Sequence, residues 1–236
     1  MSRSTIRILV AALALPLAAC NVVVSQKPWF TASPGDPRLS PGLWVALQNG
    51  ACSFSPTAKL ETWPDCAKPF FVRGTELLGA PEARQGEPPL DPAVFSDLGK
   101  WQGSTPVMVA GNPLVMQLRS DVMQNGAPAG DGFYLYLAMQ PQVRDGDGTI
   151  RAVRIWPVFC GPPPPPPARG ETQSIEDIGN SGVSRRPFPG LHKAKVGCEA
   201  DSAAAIRRAA ALSEDVAVAN EMPPFSAKWL RATLVP

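Results

Sequence analysis

Histidine is almost missing from this chain: His192 is the only one among 236 residues. A serine or cysteine nucleophile that needs an imidazole base has this single residue to draw on, in a Gly- and Lys-containing stretch. The signature loops of nucleotide and peptidase chemistry are absent: there is no Walker loop, no dinucleotide fingerprint and no HExxH. No cofactor is therefore expected. No heptad is sustained and no repeat keeps a steady period, which excludes long coiled coils and solenoids. Neither sign of charge dominates, with 22 basic residues against 20 acidic ones. That balance leaves no electrostatic footprint for nucleic acid. Two carboxylates could still meet in space as in a glycosidase-like site, but nothing in the sequence singles out a pair.

What is present starts at the N-terminus. Arg3 and Arg7 give a positive flank, and Ile8 to Leu17 is an apolar run of ten residues. That run is too short for a membrane-spanning helix, which needs about 20 residues, and fits a secretory signal. It closes on Leu17-Ala18-Ala19-Cys20. These residues resemble the signal of a bacterial lipoprotein precursor. The resemblance implies a signal peptide over residues 1–19, a diacylglyceryl group on the Cys20 thiol and a further acyl chain on its new amino group. Two or more acyl chains hold a protein stably on a membrane. The residue after Cys20 is Asn21, not the Asp that favours inner-membrane retention. The expectation is thus a lipid-anchored cell-envelope protein, on the outer membrane facing the periplasm. The signal holds two of the basic residues and no acidic one, so the mature chain balances at 20 against 20.

Four cysteines remain: Cys52, Cys66, Cys160 and Cys198. An even count in an exported chain reads as disulfides. Of three connectivities, the local one is expected, Cys52–Cys66 with Cys160–Cys198. A metal site fits poorly, because the gaps between them are 13, 93 and 37 residues.

Proline is abundant at 28 and Gly numbers 20, which favours turns and short strands over helical bundles. Residues 20–41, with Pro28, Pro34, Pro37 and Pro41, read as a lipid-anchored tether, with Trp29 and Phe30 docking at its end. Residues 42–236 read as one β-rich domain. Strands are expected at Leu43–Leu47, around Phe70–Leu78 with Gly74 at a turn or bulge, at Phe133–Ala138 and at Thr149–Phe159. A hairpin is expected from Val107–Ala110 and Leu114–Leu118. In Thr149–Phe159, strict alternation puts Ile150, Ala152, Arg154 and Trp156 on one side and Arg151, Val153 and Ile155 on the other. A helix is expected over Ala203–Val216, capped by Asp201 or Ser202, with Ala205, Ala209, Leu212 and Val216 on its packed face. Lys228–Val235 reads as a closing strand beside an early one. The fold class is mainly β: an antiparallel curled sheet or small barrel with one C-terminal helix packed on it.

Two motifs invite function. Asp145-Gly146-Asp147-Gly148 resembles the middle of an EF-hand calcium loop. Its first position falls on Val143 and its twelfth on Arg154, which break the ligand set, so a hairpin turn is expected instead. Residues 161–190 form a proline-rich excursion opened by Pro162, Pro163, Pro164, Pro165, Pro166 and Pro167. Six prolines favour an extended polyproline rod, either a spacer or a docking ligand for a partner protein. The leading expectation is a non-catalytic envelope module that binds or scaffolds a partner. The alternatives are a lipocalin-like barrel for a small apolar ligand, with Phe133–Tyr136 facing its cavity, and an envelope hydrolase built on carboxylates.

Overall fold

A computed structural model describes residues 21–47, 52–82, 90–120, 123–124, 127–128, 132–163, 183–194 and 197–234. Residues 1–19, read above as a signal peptide, Cys20 and Pro164 to Pro167 lie outside the described residues. The first strand, β1, is Val24–Ser25. A run of hairpin-forming strands follows: β2 Gly42–Leu47, β3 Ala67–Arg73, β4 Glu76–Gly79, β5 Gln102–Ser104, β6 Val107–Val109 and β7 Leu114–Ser120. Then come the short pair β8 Met123–Gln124 and β9 Ala127–Pro128, and the long pair β10 Phe133–Arg144 and β11 Ile150–Pro157. The chain closes with β12 Leu191–Lys193, β13 Cys198–Ala200, helix α1 Ala203–Ala217 and β14 Phe225–Arg231.

Nine of these strands make one sheet in the order β5-β4-β3-β2-β14-β11-β10-β7-β6, and β1 adds to β10. All its neighbours pair antiparallel. The two edge strands, β5 and β6, are consecutive in sequence and separated by Thr105 and Pro106 alone. Three Cα steps of about 3.8 Å bring those edges within about 11 Å at that corner. The sheet must therefore curl on itself, and it forms an antiparallel half-barrel. β14 pairs with the early strand β2, as expected of a closing strand. The hairpins at Gly74 and at 111–113 are also as expected, and Gly74 takes the positive φ of 62° that such a turn asks for.

Side chains paired across the sheet share a face. The inner face gathers Trp44, Phe70, Met116, Met139, Ile150 and Ile155, with Trp44 stacked on Phe70 at 5.7 Å. The outer face carries two separate apolar caps. One lies over β2, β3 and β4, where Leu43 and Leu78 meet Leu60 and Trp101. The other lies over β7, β10 and β11, where Val115, Ala138 and Trp156 meet Ala205, Ile206, Ala209 and Ala210 of α1. Between the caps the same face is polar and exposed, with Arg154, Ser226 and Lys228. Each cap holds one disulfide, Cys52–Cys66 in the first and Cys160–Cys198 in the second, with Cα separations of 5.7 and 5.8 Å.

Helix α1 starts where expected, with the Ser202 hydroxyl accepting from the Ala205 N–H. Its small residues let the helix axis come close to β11. The Trp156 indole donates to the Ala210 carbonyl at 3.1 Å, and the Phe159 N–H donates to the Ser213 hydroxyl at 2.8 Å. That docking rotates the helix relative to expectation. Ser213 and Ala217 face the sheet, while Leu212 is 42% exposed.

Two further expectations are corrected. The side assignment in β11 fails at Ile150, which joins Val153 and Ile155 on the inner face. Register shifts leave Gln142 of β10 and then Arg151 of β11 without an opposite partner. Each extra residue flips the alternation, beside Pro141, which has no N–H for the ladder. The supposed tether is the larger correction. Asn21, Val22, Val23, Val24 and Ser25 are buried, and β1 pairs with β10. Farther on, Phe30 is buried and Leu39 bridges Ile150. Residues 21–41 are a strap that runs along the half-barrel. The excursion is likewise packed at its base, where Val183 and Ser184 are buried.

The loop lengths order the two staples. Replacing Cys160 and Cys198 together by Ala is expected to cost about 4 kcal/mol, and Cys52 with Cys66 about 3. Urea unfolding of both double variants measures this, and a larger loss for the shorter loop would contradict it.

Candidate functional site

The chain after Cys20 and the two described ends of the proline-rich excursion meet at one pole of the half-barrel, around Asn21. The Asn21 amide donates to the Gly161 carbonyl at 2.9 Å and to the Asn220 amide oxygen at 2.6 Å. Its own oxygen accepts from the Ser184 N–H at 2.8 Å. The Asn21 carbonyl accepts from the Cys160 N–H at 2.7 Å. Asn220 is held in turn by donating to the Val216 carbonyl at 2.8 Å. Asn21 is 1% exposed, so these bonds replace all its contact with water. One side chain thus joins the strap, both ends of the proline-rich excursion and the segment after α1.

Below this latch, Val22 and Val24 pack with Phe159, Ala217 and Met222 and against Phe133 and Leu135. These residues plug the end of the interior. Val22 also bridges Phe159, and Val23 bridges Cys198. A second buried polar group fixes the strap farther along. The Ser25 hydroxyl donates to the Lys27 carbonyl at 2.6 Å and lies 2.5 Å from the Tyr136 hydroxyl, which then acts as donor. Burial pushes the Tyr136 phenol up to about 12. Gln117, opposite Tyr136, accepts from the Trp29 and Phe30 N–H groups and donates to the Phe30 carbonyl. Phe30 then meets Tyr136 edge to face, and the Arg207 guanidinium lies over its ring at 5.1 Å.

Other expected sites are placed elsewhere. His192 is exposed on β12, with Nδ1 3.1 Å from Asp201 Oδ1 and Nε2 3.8 Å from Glu199 Oε2. Among the described residues, no group of three or more His, Cys, Asp or Glu is arranged to hold a metal ion. The Asp145–Gly148 segment is the hairpin turn between β10 and β11. Hydrogen bonds from the Thr149 backbone and hydroxyl hold the Asp147 carboxyl below its ordinary value, and Asp145 pairs with Arg151 at 2.6 Å. Both acids serve the turn. In Phe133–Tyr136, Tyr134 and Tyr136 pack with residues of the strap and α1, and Phe133 and Leu135 belong to the plug. A cleft of about 80 Å³ opens at the seam of the sheet, lined by Val72, Leu77, Pro106 and Met108 under Pro37 and Leu39. Sites for drug-sized ligands run from about 300 Å³ upward. Pro162 is exposed at the foot of the proline run and Pro163 half-buried. No helix among the described residues is long and apolar enough to cross a membrane.

No family model matches the chain, and no curated protein or solved structure matches it either.

The latch missed by sequence reading comes from Asn21, Gly161, Ser184 and Asn220, which are far apart along the chain. The one local signal was Val22-Val23-Val24, a β-branched run inside a segment read as a tether.

Asn21→Ala removes two donors and one acceptor from a dry site and strands their partners. The expected loss is about 2–4 kcal/mol in urea unfolding. Asn21→Asp is expected to be at least as costly, because its carboxylate would face the Gly161 and Asn220 oxygens. Tyr136 predicts a pH dependence. The unfolded phenol titrates near 10.0 and the folded one near 12. Its contribution is present below pH 10 and lost as pH rises toward 12. Tyr136→Phe is expected to flatten that part of the stability–pH curve; an unchanged slope would assign it to other groups.

Proposed function

We propose that this chain is a lipid-anchored, non-catalytic cell-envelope protein, held on the outer membrane through acyl chains on Cys20, that scaffolds an envelope partner. One observation carries the reading. The expected cut falls before Cys20, and the expected mature chain reaches the core with its second residue, Asn21. The residue beside the proposed anchor is thus a fixed part of the fold. Two disulfides in the fold favour an oxidising compartment. The proline-rich segment is the proposed docking ligand for the partner, and its described ends, Pro163 and Val183, both lie at the anchored pole. The cleft at the seam is too small to hold the ligand of an apolar-ligand barrel. The exposure of His192 on the surface and the structural use of Asp145 and Asp147 weigh against the hydrolase.

The test is palmitate labelling in the bacterium of origin, followed by membrane fractionation. The wild-type chain is expected to carry label and sediment with membranes. Cys20→Ala is expected to lose the label and leave the membrane fraction. Equal labelling of both would remove the anchor.

A further inference from the structure

We propose that the domain sits directly on the bilayer in one fixed orientation, with the pole around Asn21 in an anionic headgroup layer. This rests on the anchor at Cys20. A tether of 21 residues would let the domain wander about 25 Å from its anchor. The structure replaces that tether with the Asn21 latch. The acylated residue is peptide-bonded to Asn21, which is 1% exposed and whose side chain is fixed by three hydrogen bonds. One Cα step of about 3.8 Å separates them. The polar layer on each side of a bilayer is about 5–8 Å deep. Whatever surrounds the latch on the protein surface must therefore lie in or against that layer.

The surface there suits it. Ser184 of the latch is followed by exposed Arg185 and Arg186. Asn220 of the latch is preceded by Val218, 71% exposed, and by exposed Ala219. The acids there are Glu221, exposed on the same turn, and Asp215, exposed one helical turn before Val218. Arg185 and Arg186 present two guanidiniums there, and guanidinium is the side chain best shaped to bind lipid phosphate. Val218 gives an apolar point that a soluble surface does not need and an interface can accept. The far pole differs: β10 runs twelve residues to the turn at Asp145–Gly148, roughly 35 Å of strand away.

Full-length protein, purified from membranes and placed in phosphatidylethanolamine–phosphatidylglycerol vesicles with nitroxide-labelled lipid, tests this. A fluorophore is attached at Val218→Cys or, as the far reference, at Gly146→Cys, where a new Cβ meets nothing within 4 Å. Emission is expected to be lost at Val218 and kept at Gly146. A Gly-Ser linker of about a dozen residues between Cys20 and Asn21 is expected to restore emission at Val218. Arg185→Glu with Arg186→Glu is expected to restore part of it. Mass spectrometry of the same samples separates the two levels of failure. Protein without acyl chains at Cys20 overturns the anchor and the seat together. Acylated protein with equal emission at both positions overturns the seat alone, and emission unchanged by the Arg substitutions overturns the anionic contact.

Discussion

Everything in this fold follows from closing a long antiparallel sheet whose edge strands are joined by Thr105 and Pro106. Closure brings Trp44, Phe70, Met116 and Met139 together on the inner face, where they fill the space themselves. It also leaves the outer face apolar at both ends, over Leu43 and Leu78 and again over Ala138 and Trp156. Each end needs a cover. Among the described residues, α1 is the longest covering element; the rest of the covering is 3-10 turns, a short hairpin and irregular chain. Such covers have few backbone bonds of their own, and their conformational freedom opposes folding. A disulfide removes part of that freedom from the unfolded chain. The position of one disulfide in each cap, and none in the sheet, fits that need.

The same logic explains why the strap is buried polar as well as buried apolar. Val22 and Val24 can plug the interior only if the backbone around them is also satisfied. The chain here leaves the regular ladder, so side chains do the work: Asn21 for Gly161 and Ser184, Gln117 for Trp29 and Phe30. Asn and Gln suit this role because each offers a donor and an acceptor from one rigid group. Tyr136 and Ser25 add a third fixed point. A strap pinned at intervals by amides and hydroxyls is tighter than its Pro and Ser content suggests.

The longer strands of the main sheet, the hairpin at Asp145–Gly148, the Ser202 cap and the staples were legible because each is written in neighbouring residues; the two- and three-residue strands such as β1, β5, β12 and β13 were not. Alternation, Asp-Gly dipeptides, a hydroxyl before an Ala run and even cysteines are local signals. Ile150 was misplaced because a bulge is set by pairing between strands, not by the strand's own sequence. Leu212 was misplaced because the choice of helix face depends on which groups of β11 the helix meets, and Ser213 serves Phe159 better than Leu212 could. The strap was misread because prolines report an irregular backbone and say nothing of burial. The Asn21 latch joins residues up to 199 positions apart and has no signature in any window.

Asn21 therefore stands under two constraints at once. As the residue after Cys20, its type bears on the proposed membrane destination. As the centre of a dry hydrogen-bond set, its type bears on whether the strap closes at all. Asp would change both, through the charge it brings, whereas Asn meets the folding demand without that charge. A tethered lipoprotein separates the two demands by distance, because the residue beside the anchor is far from any core. On the anchor reading that separation is gone here, and the proposed sorting and seating meet the folding demand in one amide. On the anchor reading, the proline-rich segment then leaves and re-enters the domain at headgroup height. A partner docking on it would meet the membrane surface and the domain together, so its approach would be set by the latch more than by the reach of a flexible chain.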